Sequence, residues 1–393
     1  MAAIATATLV SPPRRLQTVA AALAMVIVIA LASALYMEEN GHWVTGMTNY
    51  VVWGLPHVFA IFLIVAASGA LNVASIASVF GRTTYKPLAP LSGLLAIALL
   101  AGGLSVLVLD LGRPDRLLVA MLNQNLSSIF AWNIFLYSGF FAVVGVYLWT
   151  MLAKRYSRFT TAAGTAAFVW RLVLTTGTGS IFGFLVARDA FHSAIMAPLF
   201  IAMSLAYGLA VFLLVLVALS KLGGPDVPAE LIGRLGKLLG ILVAAQLYFV
   251  AVFHLTNLYA AKGIALERYL LLEGGIYPWL FWVGQVILGG VLPLVLCLGR
   301  RTTSASLLLA AALVVLGGLA QVYFIVIGGQ SYPMSVLPDW VLHSSFGDGE
   351  ISRYVPTLPE GLLGLGGMAL ALVLVLVGCS VLRILPTSLE HHK

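Results

Sequence analysis

Charge is what this sequence has least of. Of its 393 residues 9% are Asp, Glu, Lys or Arg, while 61% are apolar. A soluble globular domain carries about 25% charged residues, so a water-soluble fold is excluded and lipid is the expected solvent. Cysteine is nearly absent: there are two, Cys297 and Cys379, both inside apolar runs. An iron–sulfur cluster takes about four thiolates, and no CxxC or CxxCH occurs, so iron–sulfur, zinc and attached haem c are not expected. Both cysteines read as small buried apolar side chains. Histidine within apolar runs is limited to His57 and His254. That leaves at most one pair for a membrane haem, and we read the chain as haem-free. The net charge of +7 does not indicate nucleic acid, because the basic residues sit in short gaps and form no stripe.

Long apolar runs are what the chain has most of. A helix needs about 20 apolar residues to cross the hydrocarbon. Spans are expected near 16–37, 51–79, 88–109, 128–153, 160–187, 193–220, 231–259, 276–299, 304–328 and 358–384. The runs are too long and too rich in Leu and Ala for barrel strands, which need about 10 alternating residues. The expected fold is an all-α integral membrane protein of about ten transmembrane helices, one domain over residues 1–393. Two four-helix bundles flanked by single helices fit that count. The longest gap, 329–357, reads as an ordered outer cap or docking surface, or as a plain solvated loop. Arg14-Arg15 followed by an apolar run and Ala32-Ser33-Ala34 imitates a signal peptide. The run exceeds a usual signal core, so it is read as a retained span.

Lys and Arg in the gaps set the expected orientation. One set of gaps holds fourteen: Arg14, Arg15, Arg82, Lys86, Lys154, Arg155, Arg158, Lys221, Arg234, Lys237, Arg300, Arg301, Arg383 and Lys393. The alternate set holds six: Arg113, Arg116, Arg188, Lys262, Arg268 and Arg353. Arg171 alone lies within a span. The richer side is expected to be cytoplasmic, with both termini on it. Eleven of the fourteen acids fall on the outer side.

Polar residues inside spans are costly and tend to be functional. Tyr50, Trp53 and His57 open the second span at i, i+3 and i+7, a spacing that puts them on one helix face, continued inward by Ser68 and Asn72. Hydrogen-bonding groups beside aromatic walls near the outer interface suit a quinone head; an aromatic interface belt with a satisfied histidine is the plainer reading. After the third span comes DLGRPDR, Asp110 to Arg116. Gly112 ends the helix, Pro114 fixes the turn, and Asp110 and Arg113 are close enough to pair. Asn123, Gln124 and Asn125 follow, then Trp132 and Asn133; these amides either line the same pocket or cap the next helix. Arg171, near the middle of the fifth span, shares a face with Thr175 and Thr178. Gln246, His254 and Asn257 share a face of the seventh. A proton or water path is one reading of Arg171; since a guanidinium does not readily give up its proton, the other is that it organises waters and fixes helix packing.

These segments resemble the NrfD/PsrC family of membrane subunits of respiratory oxidoreductases, in its ten-helix form. The resemblance is carried by NYVVWGLPHVFAIFLIVAASGALNVASIASVFG, VLDLGRPDR, SIFAWNIFLYSGFFA, TTGTGSIFGFLVAR, HLTNLYA and LRILPTSL. Within the family it is most similar to the DsrP group, the quinone-interacting subunits of DsrMKJOP complexes of dissimilatory sulfur metabolism. The resemblance implies a subunit without haem or metal that binds menaquinone or ubiquinone at the outer end of its first bundle. Implied partners are a periplasmic iron–sulfur subunit like DsrO, a multihaem cytochrome c like DsrJ, and subunits like DsrM and DsrK. Carried over, Tyr50, Trp53, His57, Asp110, Arg113, Asn123 and Asn133 are pocket candidates, with His57 and Asp110 exchanging protons. The family also implies a proton path, for which Arg171, Thr175, Gln246, His254 and Asn257 are candidates. Two rival classes are a transporter or ion-conducting subunit, with Gly177-Thr178-Gly179 as a candidate helix break, and a membrane anchor without a quinone site.

Overall fold

The computed structural model describes residues 6–7, 14–300, 302–334 and 349–386. Among these, nine helices are long and apolar enough to cross a membrane. They are α1 (Arg14–Asn40), α2 (Leu55–Ser78), α3 (Thr83–Leu109), α4 (Ile129–Leu152), α6 (Met196–Lys221), α7 (Ala229–Tyr259), α8 (Ile276–Leu298), α9 (Ser304–Ser331) and α10 (Leu358–Val381). The expected fifth span is also a helix, α5 (Thr160–Gly183), of 24 residues. It is less apolar because it carries Arg171 and six threonines, of which Arg171, Thr175 and Thr178 are buried against its neighbours. The helical fold follows from the solvent: in hydrocarbon each backbone N–H and C=O must be satisfied within its own segment.

α2 lies against α3, α5 and α6; α4 lies against α3 and α5; and α5 against α6. α7 and α9 pack on α6 and on each other, and α8 packs on α7 and α9, while α10 packs on α1, α2 and α3. α2 is the most enclosed span and α1 the most peripheral. The α2–α6 crossing is set by Gly69 and Gly208, where a Cβ on either residue would overlap the other helix's backbone. Small residues that allow such approach drive helix association where lipid supplies no hydrophobic gain. A short antiparallel pair, Thr6–Ala7 with Leu385–Pro386, brings the two ends of the chain together beside the start of α3.

Helix α2 begins later than the hydropathy suggests, at Leu55 rather than 51. Gly54 is extended and Pro56 occupies the first turn, where its missing N–H costs nothing. Tyr50 and Trp53 therefore precede the helix, so the helix-face spacing does not describe them. π-helical stretches, Leu280–Val291 and Phe324–Gly328, interrupt α8 and α9. Pro293 follows the first of these; lacking an N–H, it cannot continue the ordinary ladder. Much of the outer gap, 335–348, including His343, lies outside the described residues, as do Arg301 and the EHHK tail with His391 and His392.

Candidate functional site

At the end of the array where α2 begins and α3 ends, a buried carboxylate sits between two imidazoles. Asp110 is the residue that closes α3, and its side chain is wholly enclosed. Its Oδ2 lies 2.9 Å from Nδ1 of His57. Its Oδ1 lies 3.8 Å from Nε2 of His42. The His57 contact has hydrogen-bond distance without hydrogen-bond alignment, so none of these four atoms has a directed partner. Buried polar groups are normally satisfied, and clustered exceptions point to a role other than packing.

His42 belongs to a short turn, His42–Val44, between α1 and α2. Its place depends on Gly112, whose φ is +69°. A Cβ there would stand 3.2 Å from the imidazole Cε1, and non-glycine residues rarely adopt this backbone. The glycine both turns the chain out of α3 and leaves room for the ring. Asp110 does not pair with Arg113. The chain reverses at Gly112, so Arg113 points outward and binds Asp115 in a two-pronged pair, both contacts at 3.0 Å. That pairing holds the Asp115 carboxyl below its ordinary range and raises the Arg113 guanidinium. The pair is exposed and of small energetic weight.

Trp53 forms the wall beside His57. The ring centroids are 6.3 Å apart and nearly parallel. Phe130 of α4, Phe182 of α5 and Phe191 close round the indole at 5.8–6.3 Å. One turn beyond Phe130, Asn133 is buried and joins α4 to α5 by donating to the Gly177 carbonyl at 3.3 Å. Asn123 is not drawn in: it is exposed and donates to the Val119 carbonyl, while Asn125 accepts from Ser127 N–H. Those amides satisfy local turns. An open apolar groove runs between α1, α3 and α10, lined by Ile27, Leu31, Val106, Leu363 and Leu370 among others. Leu109, the residue before Asp110, is part of its lining.

The segment that carries Trp53 is held by side chains from far along the sequence. Gln330 accepts from the N–H groups of Val52 and Trp53, both at 3.0 Å, and donates to the Trp53 carbonyl at 3.0 Å. Arg188 donates to the carbonyls of Tyr50 and Gln330, and partial burial lowers its pKa from the usual value. Glu360, fully buried, accepts from Gly46 N–H at 3.0 Å and from the Tyr354 hydroxyl at 2.8 Å. That hydroxyl accepts in turn from Leu55 N–H. Burial, and then the neighbouring Glu360, push the Tyr354 phenol well above its ordinary value. None of Arg188, Gln330, Tyr354 and Glu360 was expected from the sequence. The usable signal was Thr357 with Glu360 three residues on, a capping box, which the structure contains.

Deeper polar residues form two separate groups. Arg171 donates to Asn72 Oδ1 at 2.7 Å and to the Ser68 carbonyl at 3.1 Å, and Thr175 donates to Ser68 Oγ at 2.6 Å. The second group lies among α6, α7 and α9: Gln246 donates to Gln321 Oε1, which also accepts from Tyr207. Toward the end of α7, His254 Nδ1 meets Glu267 Oε2 at 2.6 Å and Asn257 donates to its Oε1 at 2.7 Å. Phe253, Phe281 and Phe324 surround the ring. Glu267 is fully buried, although its place in a gap suggested a solvated acid. Among the described residues no group of three or more His, Cys, Asp or Glu is placed to hold a metal ion.

The family described as "Polysulphide reductase, NrfD" matches residues 43–333. A similar protein is the Hdr-like menaquinol oxidoreductase integral membrane subunit of Archaeoglobus fulgidus, 28% identical, covering 92% of this chain and 93% of that one. Another is a putative dimethyl sulfoxide reductase membrane subunit of Halobacterium salinarum, 29% identical over 93% and 90% of the two proteins. A polysulfide reductase chain of Wolinella succinogenes is 24% identical over 72% of the present sequence and 96% of its own.

Proposed function

Because the chain belongs to the NrfD polysulphide reductase family, we propose that it is the quinone- or quinol-binding membrane subunit of a respiratory electron-transfer complex. The observation that carries this reading is the enclosed Asp110 carboxylate facing His57 at 2.9 Å, beside the aromatic wall of Trp53. A quinone head needs a hydrogen-bond donor, a group that trades protons, and flat apolar surfaces. His57, Asp110 and Trp53 offer these. Asn133 and the backbone at Tyr50 shape the far side; Arg113 and Asn123 stand at the rim. The groove that Leu109 helps to line offers an apolar bed for an isoprenoid tail.

The electrons pass to or from an iron–sulfur subunit docked on this end of the array. The finer reading, supported by the motif resemblance, is a complex of the DsrMKJOP type with a multihaem cytochrome and cytoplasmic sulfur chemistry. The site lies at the periplasmic side of a bacterial cytoplasmic membrane, the termini on the other side, and the first bundle is α2 to α5. Arg171 with Thr175, and Gln246 with His254 and Asn257, are the candidate proton-handling groups of the two bundles. The menaquinol named in the Archaeoglobus relative makes menaquinone the first candidate.

The test is a purified complex assayed for bound quinone and for quinol-linked turnover. Asp110→Asn keeps the side-chain shape and removes the charge. It is expected to retain the full set of subunits and lower turnover by about 10²-fold or more, the usual weight of positioned proton transfer. Normal turnover in assembled Asp110→Asn and His57→Ala complexes would refute the assignment.

A further inference from the structure

We propose that His42 is the third member of a proton relay, carrying protons between Asp110 and the aqueous phase. The inference rests on the quinone reading of the site. Each carboxylate oxygen faces its own imidazole: Oδ2 faces His57 Nδ1 at 2.9 Å and Oδ1 faces His42 Nε2 at 3.8 Å. Both imidazole side chains are partly exposed, 20% for His57 and 28% for His42, while Asp110 is 0% exposed. The buried acid therefore reaches solvent through either ring, and the two rings lie on different elements. His57 is on the first turn of α2, stacked beside Trp53. His42 is in the loop from α1, beyond the helix ends, next to the exposed Trp43.

The backbone of His42 is held in place while its ring stays free to turn. The Thr45 hydroxyl donates to its carbonyl at 2.6 Å, and Gly112 leaves the space that the ring occupies. A proton entering at His57 Nε2 releases one from Nδ1 to Asp110 Oδ2. The carboxyl, neutral after taking that proton on Oδ2, rotates about Cβ–Cγ to present it to His42 Nε2, and His42 Nδ1 gives one to water, which returns Asp110 to the carboxylate. The longer second gap closes by rotation of the His42 ring or through one bridging water. Oxidation of one quinol releases two electrons and two protons. The electrons go one at a time to the iron–sulfur acceptor of the partner subunit, and the protons leave in turn by this route. Quinone reduction runs every step in reverse.

The experiment uses the whole complex, with menadiol as electron donor, and four variants: His57→Ala, His42→Ala, His42→Gln and Asp110→Asn. His42→Ala is expected to slow turnover on the order of 10²-fold with quinone still bound. Added imidazole should restore rate, 1,2,4-triazole less so, in the order of their basicity. A filler of the vacated space would act without regard to basicity. His42→Gln, which keeps the bulk, should stay slow and not be rescued. Full activity of His42→Gln, or rescue that ignores basicity, would make the role structural and overturn the relay. A fast His42→Ala beside a slow His57→Ala would overturn the relay and leave the quinone site standing. If both alanine variants are fast, the quinone reading itself fails.

Discussion

Gln330→Leu tests how the site is held. The side chain is 1% exposed and satisfies three backbone groups of the loop before α2: the N–H groups of Val52 and Trp53 and the Trp53 carbonyl, all at 3.0 Å. Leucine fills similar volume and satisfies none of them. A buried polar group left unpaired costs about 1–3 kcal/mol, which puts the sum at about 3–9 kcal/mol. Val52 is already exposed, so the loop can peel outward and rehydrate rather than bear the full sum. The lower figure, about 3 kcal/mol, is therefore the expected local loss, and 1.4 kcal/mol is about tenfold in an equilibrium. Hydrogen exchange read by mass spectrometry on peptides spanning 48–54 should quicken at least about 100-fold, while peptides from the middle of α6 stay unchanged. With Trp53 released from His57, quinol-linked turnover should fall alongside. Exchange at Val52 and Trp53 within threefold of the wild type would refute the reasoning, because it would mean these backbone groups find partners without Gln330.

Two further outcomes concern the packing beneath the site. Asn72→Leu removes the 2.7 Å acceptor of the buried Arg171 and should destabilise by about 3–5 kcal/mol, whereas Asn72→Leu with Arg171→Met should recover most of this, since an uncompensated buried charge costs more than an apolar replacement of the pair. Thermal melts of the two single variants and the double variant in detergent measure the coupling, and simple additivity would sink the claim. Gly208→Ala should lower the melting temperature and the yield of monodisperse protein, because its Cβ would overlap the backbone of Gly69 and Ala70 and overpacking costs about 1–3 kcal/mol; an unchanged melt would show that α2 and α6 do not touch there.

The spans were legible because hydropathy is a local property. Leu- and Ala-rich runs separated by basic gaps already imply helices, and nine of ten meet both length and composition in the structure. α5 is long enough but shows the limit of composition. Its Arg171 and threonines lower its apolar character, and the buried Arg171 and Thr175 are tolerated because Ser68 and Asn72 of α2 receive them. His57 and Asp110 could be singled out from the sequence, as polar residues at span ends, and the structure brings them into contact. Arg113 was assigned the wrong partner for a local reason: three residues of separation suggested a pair, but the positive φ of Gly112 sends the two side chains to opposite sides.

What the sequence determined by itself is the class of molecule, since a polypeptide with 61% apolar and 9% charged residues has only lipid as a compatible solvent, and lipid allows helices to satisfy their own backbones. Which acids are solvated was decided by the tertiary structure. Asp110, Glu267 and Glu360 all sit in or beside gaps where a one-dimensional reading expects water, yet all three are buried, Glu267 and Glu360 with hydrogen-bond partners and Asp110 facing two imidazoles. The reason is distance along the sequence: His42 and His57 lie 68 and 53 residues before Asp110, and Glu360 meets Gly46 across 314. No local pattern encodes such meetings. They exist only once the helices have packed and brought their ends together.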